Sequence, residues 1–317
     1  MQPAEITLNR LLVPFAGALD DPDTREVVVL EPGKFGVENS KGWHWYEDPA
    51  LTYSRCLSLA ILAAHRTGQH FGENTLGVSS RLPGRHRITM AGPPSTPAGT
   101  INLTIRKRAT SFIPTLEWLA ERGYFDFLPK GTDWVAWCRG RVLAKHTFLA
   151  TGETGSSKTT FAEALIREIP EDQRLITMES VPEWDLPHRN WVPIVYAQAG
   201  SEARGLPTAT QALELALRQR PDRILFGEMR TAECWAYLRA LQSGHPGGIT
   251  TAHARPGVRK AMDALMLMIR ENPSAASASE DLINELLRNS INVVAHCEKV
   301  AGAAVPYRVT HLEEVAA

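Results

Sequence analysis

"HTFLATGETGSSKTTFAEALIREI" occupies residues 146–169, and its reading decides the fold. A short apolar run ending at Thr151 reads as a strand, the next residues carry glycines at 152 and 155, and helical spacing begins at Lys158. A strand feeding a glycine-rich turn that opens a helix aims several backbone N–H groups at one spot, and the helix N-terminus adds favourable partial charge for an anion. Gly152, Glu153, Thr154, Gly155, Ser156, Ser157, Lys158, Thr159 and Thr160 therefore form a candidate nucleotide-binding loop. Lys158 would reach the outer phosphates of ATP, and the Thr159 hydroxyl would bind Mg²⁺. The usual pattern, G-x-x-x-x-G-K-[ST], asks for glycine where this chain has Ser157. Helix follows at once, so residue 157 is expected to take ordinary right-handed angles without strain. Its hydroxyl is expected to be free to donate to a phosphate oxygen, and positive φ is expected only at Gly152 and Gly155.

Working outward, strand and helix patterns alternate from about residue 140. "RLITME", "DRILFGE" and "GGITTAHA" read as strands, and "ATQALELALRQR" and "TAECWAYLRALQSG" as helices. Such alternation favours a parallel sheet with helices on both faces, an α/β fold. The tail "NVVAHCEKVAGAAVPYRVTHLEEV" reads as a hairpin at the sheet edge. Residues 1–125 read as a smaller α+β N-terminal domain, 126–139 as a linker and 140–317 as the nucleotide-binding domain. In "TINLTIRKR", Ile101, Leu103 and Ile105 alternate with Asn102, Thr104 and Arg106, the pattern of a half-buried strand. The cluster Trp43, Trp45, Tyr46 is expected in a core or subunit interface rather than on a base-stacking surface. Met262, Met266 and Met268 recur at helical spacing and are expected in a core.

Length and composition agree with two folded domains: 317 residues, 44% hydrophobic and 22% charged. With 34 basic and 35 acidic residues, bulk electrostatics give no reason to expect nucleic-acid binding. Four scattered cysteines form no C-x-x-C pair, which argues against a zinc ribbon and for reduced thiols in a cytosolic core. The start lacks a signal peptide's pattern, and no apolar run approaches membrane-spanning length.

Phosphoryl chemistry also needs carboxylates that hold metal and orient water. Two sites lie at predicted strand ends, where ligands gather in open α/β sheets. "RLITMESVPEW" offers Glu179 and Glu183, and "RILFGEMR" offers Glu228. In "SGHPGGITTAHA", His253 fits a sensor of the γ-phosphate or of catalytic water, with His245 a weaker candidate; two histidines eight apart make a poor metal site.

Four ordered blocks, "GETGSSKTT", "RLITMESVPE", "LRQRPDRILFGEMR" and "SGHPGGITTAHA", resemble the Walker A loop, acidic box, Walker B strand and histidine box of bacterial type II and type IV secretion NTPases. With "RHRITMAGPP" and "TINLTIRKR" added, the chain is most similar to the VirB-eleven type, the traffic ATPases of type IV secretion. The resemblance implies a RecA-like P-loop NTPase domain, MgATP bound between the domains, and a homo-hexamer driving pilus assembly or substrate export. It also implies other type IV secretion ATPases and inner-membrane components as partners, at the cytoplasmic face of that membrane. It brings Arg106, and more weakly Arg87, to the nucleotide, and makes Arg218 and Arg220 candidate sensors of phosphate or of a neighbouring subunit. Glu179 is the favoured general base, with Glu183 the alternative. Where the family usually has Asp, this chain has Ser180. Three rival readings stand beside it: a non-hydrolysing nucleotide-binding scaffold, a type II secretion or pilus motor, and a nucleic-acid-driven helicase-like motor, against which the near-neutral charge counts.

Overall fold

The computed structural model describes residues 3–72, 75, 77–108, 114–197, 206–231, 233–300 and 302–316. The chain divides into two compact units. The first comprises Met1–Phe112 with Val181–Glu183 and Ala197–Pro207, and the second comprises the remainder.

In the first unit, Glu26–Glu31 (β1), Lys34–Asn39 (β2), Gly42–Glu47 (β3), Val78–Arg81 (β4), Arg87–Ala91 (β5) and Asn102–Arg106 (β6) form one sheet in the order β3-β2-β1-β6-β5-β4. Every pairing is antiparallel. Helices Pro3–Leu11 (α1), Ala16–Asp20 (α2) and Tyr53–Arg66 (α3) accompany it. Alternation along the strands buries Val27, Val37, Ile88, Leu103 and Ile105 with Leu59, Ala60 and Ala63 of α3. Arg106 is exposed on the opposite face of β6, as the alternation predicts. The aromatic cluster is not in a core: Trp43, Trp45 and Tyr46 are exposed on edge strand β3, which leaves the subunit-interface alternative of the expectation. Trp43 and Trp45 stack on each other, and Trp45 lies across Gly36 of the neighbouring strand, where a side chain would collide with its ring.

The second unit starts earlier than the sequence suggests. Leu116–Glu121 (α4) and Trp134–Leu143 (α5) place Leu116, Leu119, Tyr124, Phe125, Leu128 and Cys138 in its core, so the expected boundary at 125 and linker at 126–139 lie inside it. Its strands are Phe148–Thr151 (β7), Leu175–Glu179 (β8), Trp191–Val195 (β9), Arg223–Met229 (β10), Ile249–Ala252 (β11), Val293–Lys299 (β12) and Tyr307–Glu314 (β13). They run in the order β13-β12-β7-β11-β10-β8-β9. All pairs are parallel except the β12–β13 hairpin at the edge. Helices Lys158–Ile166 (α6), Ala209–Leu217 (α7), Glu233–Gln242 (α8), Val258–Arg270 (α9) and Glu280–Ser290 (α10) complete it.

Successive strand residues feed opposite faces. Leu149, Ile176, Ile224 and Val294 pack with α7–α10, while Phe148, Leu175, Leu225 and Val293 pack with α4–α6. Burying each such side chain stabilises the unit by roughly 1.5–3 kcal/mol, and burial on both faces explains the continuous apolar runs. Met262 joins this core, with Met266 and Met268 packed against its rim. Among the described residues, no helix is long and apolar enough to cross a membrane.

Candidate nucleotide site

The parallel strands end together, and polar groups collect at that carboxyl edge. Thr151 closes β7, and residues 152–157 turn the chain into α6. Gly152 has φ 142°, and a Cβ there would strike the Cys297 carbonyl oxygen of β12 and the Ser156 hydroxyl. Only glycine fits this close approach. Gly155, at φ 74°, takes the left-handed turn without crowding.

Ser157 overturns its expectation. It caps α6 at φ 72°, ψ 20°, in the left-handed region, rather than adopting right-handed angles. A residue with a Cβ pays roughly 1–2 kcal/mol there. The turn demands it: residue 157 must swing the chain from the loop onto the helix axis, and that geometry overrides local preference.

Lys158 is buried, and its ammonium donates to the carbonyl oxygens of Gly152 (2.8 Å) and Glu153 (2.6 Å). A buried cation is costly unless hydrogen-bonded or neutralised by an anion. Beside it, the buried Ser156 hydroxyl has no hydrogen-bond partner. Buried ammonium, orphan hydroxyl and a glycine cradle together fit a phosphate group. Thr159 and Thr160 are half-buried on the first turn of α6, and Glu153 and Thr154 are exposed at the loop tip.

The carboxylates stand on adjoining strands. Glu179 ends β8, is buried, and accepts a hydrogen bond from the Trp184 backbone N–H (3.1 Å). Glu228 lies near the end of β10. Its Oε1 is 2.8 Å from His253 Nε2, and its Oε2 accepts from Arg230 Nε at 2.7 Å. Gly227 makes room for this pairing of strand ends: a Cβ there would sit 3.0 Å from Glu179 Cγ. Thr251 of β11 donates to the Gly227 carbonyl at 2.8 Å, tying the histidine-bearing strand to β10. Among the described residues, no group of three or more His, Cys, Asp and Glu side chains forms a metal cage.

Other candidates fall elsewhere. Glu183 belongs to the first unit, where it pairs with Arg87 at 3.0 Å. Arg106 stands between Arg87 and Glu26 in strand register. Burial, then the neighbouring Glu38, raises the pKa of Glu26, while Arg106 opposes the rise. Arg218 and Arg220 are exposed just before β10, and His245 lies before β11. All three therefore sit at the amino edge of the sheet, Arg218 and Arg220 about 20 Å from the loop end by the rise of β10 and His245 before the shorter β11, about 13 Å from it. That placement removes the basis for phosphate sensing within the subunit. Sequence reasoning missed His296 of β12, which is buried behind the loop with Nδ1 3.0 Å from the Thr151 hydroxyl.

A doubly wound parallel sheet with a glycine loop, buried lysine and two strand-end carboxylates at one edge defines a P-loop NTPase. Residues 139–305 match the family described as Type II/IV secretion system protein. The chain is 35% identical over 310 residues to the type IV secretion system protein VirB11 of Brucella suis, covering 92% of this chain and 85% of the relative. It is 32% identical over 331 residues to VirB11 of Bartonella henselae, covering 95% and 91%. The crystal structure of the Brucella suis VirB11 ATPase in complex with sulphate superposes at TM-score 0.52 with 32% identity, covering 98% of this chain and 95% of that one. The chain belongs to the type II/IV secretion family, within its VirB11 group, and is a nucleotide-binding type IV secretion ATPase.

Proposed function

We propose that the chain is a homo-hexameric motor that hydrolyses MgATP to energise pilus assembly or substrate export. Lys158 would neutralise charge on the outer phosphates, with the backbone N–H groups of the loop cradling them. Thr159 and Glu228 would hold Mg²⁺, directly or through water. Glu179, fixed by the Trp184 N–H, would be the general base, and His253 would report on the γ-phosphate through Glu228. Arg106 would supply further positive charge from the first unit, with Arg87 secondary. Because Glu183 is paired with Arg87, its role would be to position that arginine rather than to act as base. The protein would work at the cytoplasmic face of the inner membrane, bound to other secretion ATPases and membrane components, with no strong intrinsic affinity for nucleic acid.

The observation that carries this reading is Lys158: a buried ammonium at the mouth of a glycine loop, beside carboxylates on neighbouring strands. Size-exclusion chromatography with light scattering, with and without MgATP, coupled to a phosphate-release assay, tests it. The expected result is a six-subunit species that releases phosphate, with release abolished by Glu228→Gln. A monomer with full turnover would remove the ring, and undiminished turnover in the Gln variant would remove the assigned role of Glu228.

A further inference from the structure

Strand β3 closes one side of the first sheet, with β2 as its neighbour. A bare outer edge is a template for further strand pairing, and soluble proteins commonly blunt such edges with Lys or Pro. Gly42–Glu47 contains neither. It shows large aromatic side chains instead: Trp43 is 45% exposed, Trp45 58% and Tyr46 49%. Trp43 and Trp45 lie two residues apart and project from the face opposite the Val27–Val37 core. Their rings stack with centroids 6.0 Å apart, and Trp45 lies across Gly36, so the pair forms a ledge held against the sheet.

Carboxylates stand behind that ledge. Register sets Trp43 opposite Glu38, and Glu38 opposite Glu26. Cross-strand partners share a face, and like charges so placed are destabilising. Residues 20–48 hold eight Asp and Glu against three Lys and Arg, whereas the whole chain is nearly balanced. Aromatic faces and carboxylates both attract guanidinium and ammonium groups, so this edge suits a cationic strand. The chain itself offers none with a free edge among the described residues. Of the other strands that end a sheet, β4 carries only Arg81, β9 carries no cation, and β13 carries only Arg308, which is bonded to Glu298 at 3.3 Å.

We propose that the outer edge of β3 docks another protein: an extended segment with Lys or Arg at alternate positions adds as a further strand, its backbone pairing with β3 and its cations lying on Trp43 and Trp45 beside Glu38. The surface lies wholly in the first unit, whereas the nucleotide loop belongs to the second.

Titration of a labelled, end-blocked octapeptide alternating arginine with valine into the full chain, read by fluorescence polarisation at about 0.15 M salt, tests it. Saturable binding is expected. Trp43→Thr and Trp45→Thr keep strand propensity and should each weaken binding about threefold to thirtyfold, the range of a cation–π contact. Glu38→Gln should weaken it by up to about fivefold and flatten its salt dependence. The same peptide with glutamate for arginine, or with alternate backbone nitrogens methylated, should not bind. No saturable binding, or unchanged affinity in both tryptophan variants, overturns the proposal. Equal binding of a peptide with its arginines grouped at one end would show charge attraction without strand addition, and overturns it too. If the tryptophan variants fail to fold, the methylated peptide decides on wild-type protein: binding equal to that of the parent peptide overturns the proposal. Light scattering that shows self-association lost in Trp43→Thr, together with no peptide binding, would assign the edge to a second copy of this chain and overturn the partner assignment.

Discussion

Lys158 and Arg223 are both buried cations in one unit, standing at opposite ends of the same parallel sheet. Arg223 opens β10 and is fully spent on protein acceptors. Its Nε donates to the Gln173 side chain (2.7 Å), one terminal nitrogen to the Gly247 carbonyl (3.3 Å), and the other to the Val142 carbonyl (2.8 Å). Burial pulls its pKa down to about 10, with Asp222 opposing. Lys158 instead caps two carbonyls of its own loop at the open edge. The difference teaches how to separate a structural charge from a working one. The first is satisfied by α5, the turn before β8 and the turn before β11, and the second by a loop whose shape has another purpose.

The comparison predicts a crossover. Lys158→Ala should cut ATP turnover by at least roughly a thousandfold, as expected when a group that stabilises transition-state charge is lost. Its thermal midpoint should stay within a few degrees of wild type. Phosphate-release kinetics beside calorimetry check this, and retained turnover would break the comparison at its functional end.

Arg223→Met should do the opposite. It leaves the Val142 and Gly247 carbonyls and the Gln173 oxygen without a donor, which should cost about 3–4 kcal/mol in urea unfolding. ATP affinity of the folded fraction should stay within about twofold. Loss of affinity without loss of stability would place Arg223 in the working class.

These two residues also mark what the sequence could and could not disclose. The strand–loop–helix around Lys158 is legible because its pattern is local: apolar run, glycines, helical spacing. The carboxylates are legible for the same reason, since each ends an apolar strand. Arg223 is not, because an arginine before "ILF" reads as solvent-facing until α5 and residue 247 are folded over it. The left-handed Ser157 is hidden likewise, since its angles are imposed by closing a turn rather than by its own preference. Edge strand β9 goes unread because "WVPIV" holds a proline, and β4 because "VSSR" is short. Arg218, Arg220 and His245 mislead through proximity in sequence: each precedes a strand whose far end carries the chemistry.

His296 sharpens the picture of the loop end. Burial first, then His311, lowers its pKa to about 4, with Lys158 and Lys260 adding to the effect and Glu298 opposing. In the unfolded chain a histidine titrates near 6.5, so on acidification the unfolded state takes the proton first. The contribution of His296 is therefore complete above about pH 6.5, shrinks as pH falls toward 4, and is constant below that. Roughly 3 kcal/mol is at stake. Urea melts at several pH values should show this slope, and His296→Gln should flatten it. A slope that persists in the variant assigns it to another group.

The smallest effect concerns another left-handed side chain in this unit. Arg220 has φ 53°, like Ser157, but it lies exposed at the amino edge. Replacing it with glycine relieves about 1 kcal/mol or more of backbone strain, while glycine's freedom in the unfolded chain takes back roughly 0.5–1 kcal/mol. Arg220→Gly should thus stabilise the protein by about 0.5 kcal/mol and leave ATP turnover within about twofold. Turnover that collapses would mean that this arginine reaches a nucleotide after all, across a subunit boundary, since its own loop stands at the far end of the sheet. Turnover that holds while stability rises would show that the amino edge carries the cost of a tight turn and no chemistry, in contrast to Ser157, where the same backbone angles are kept because the loop depends on them.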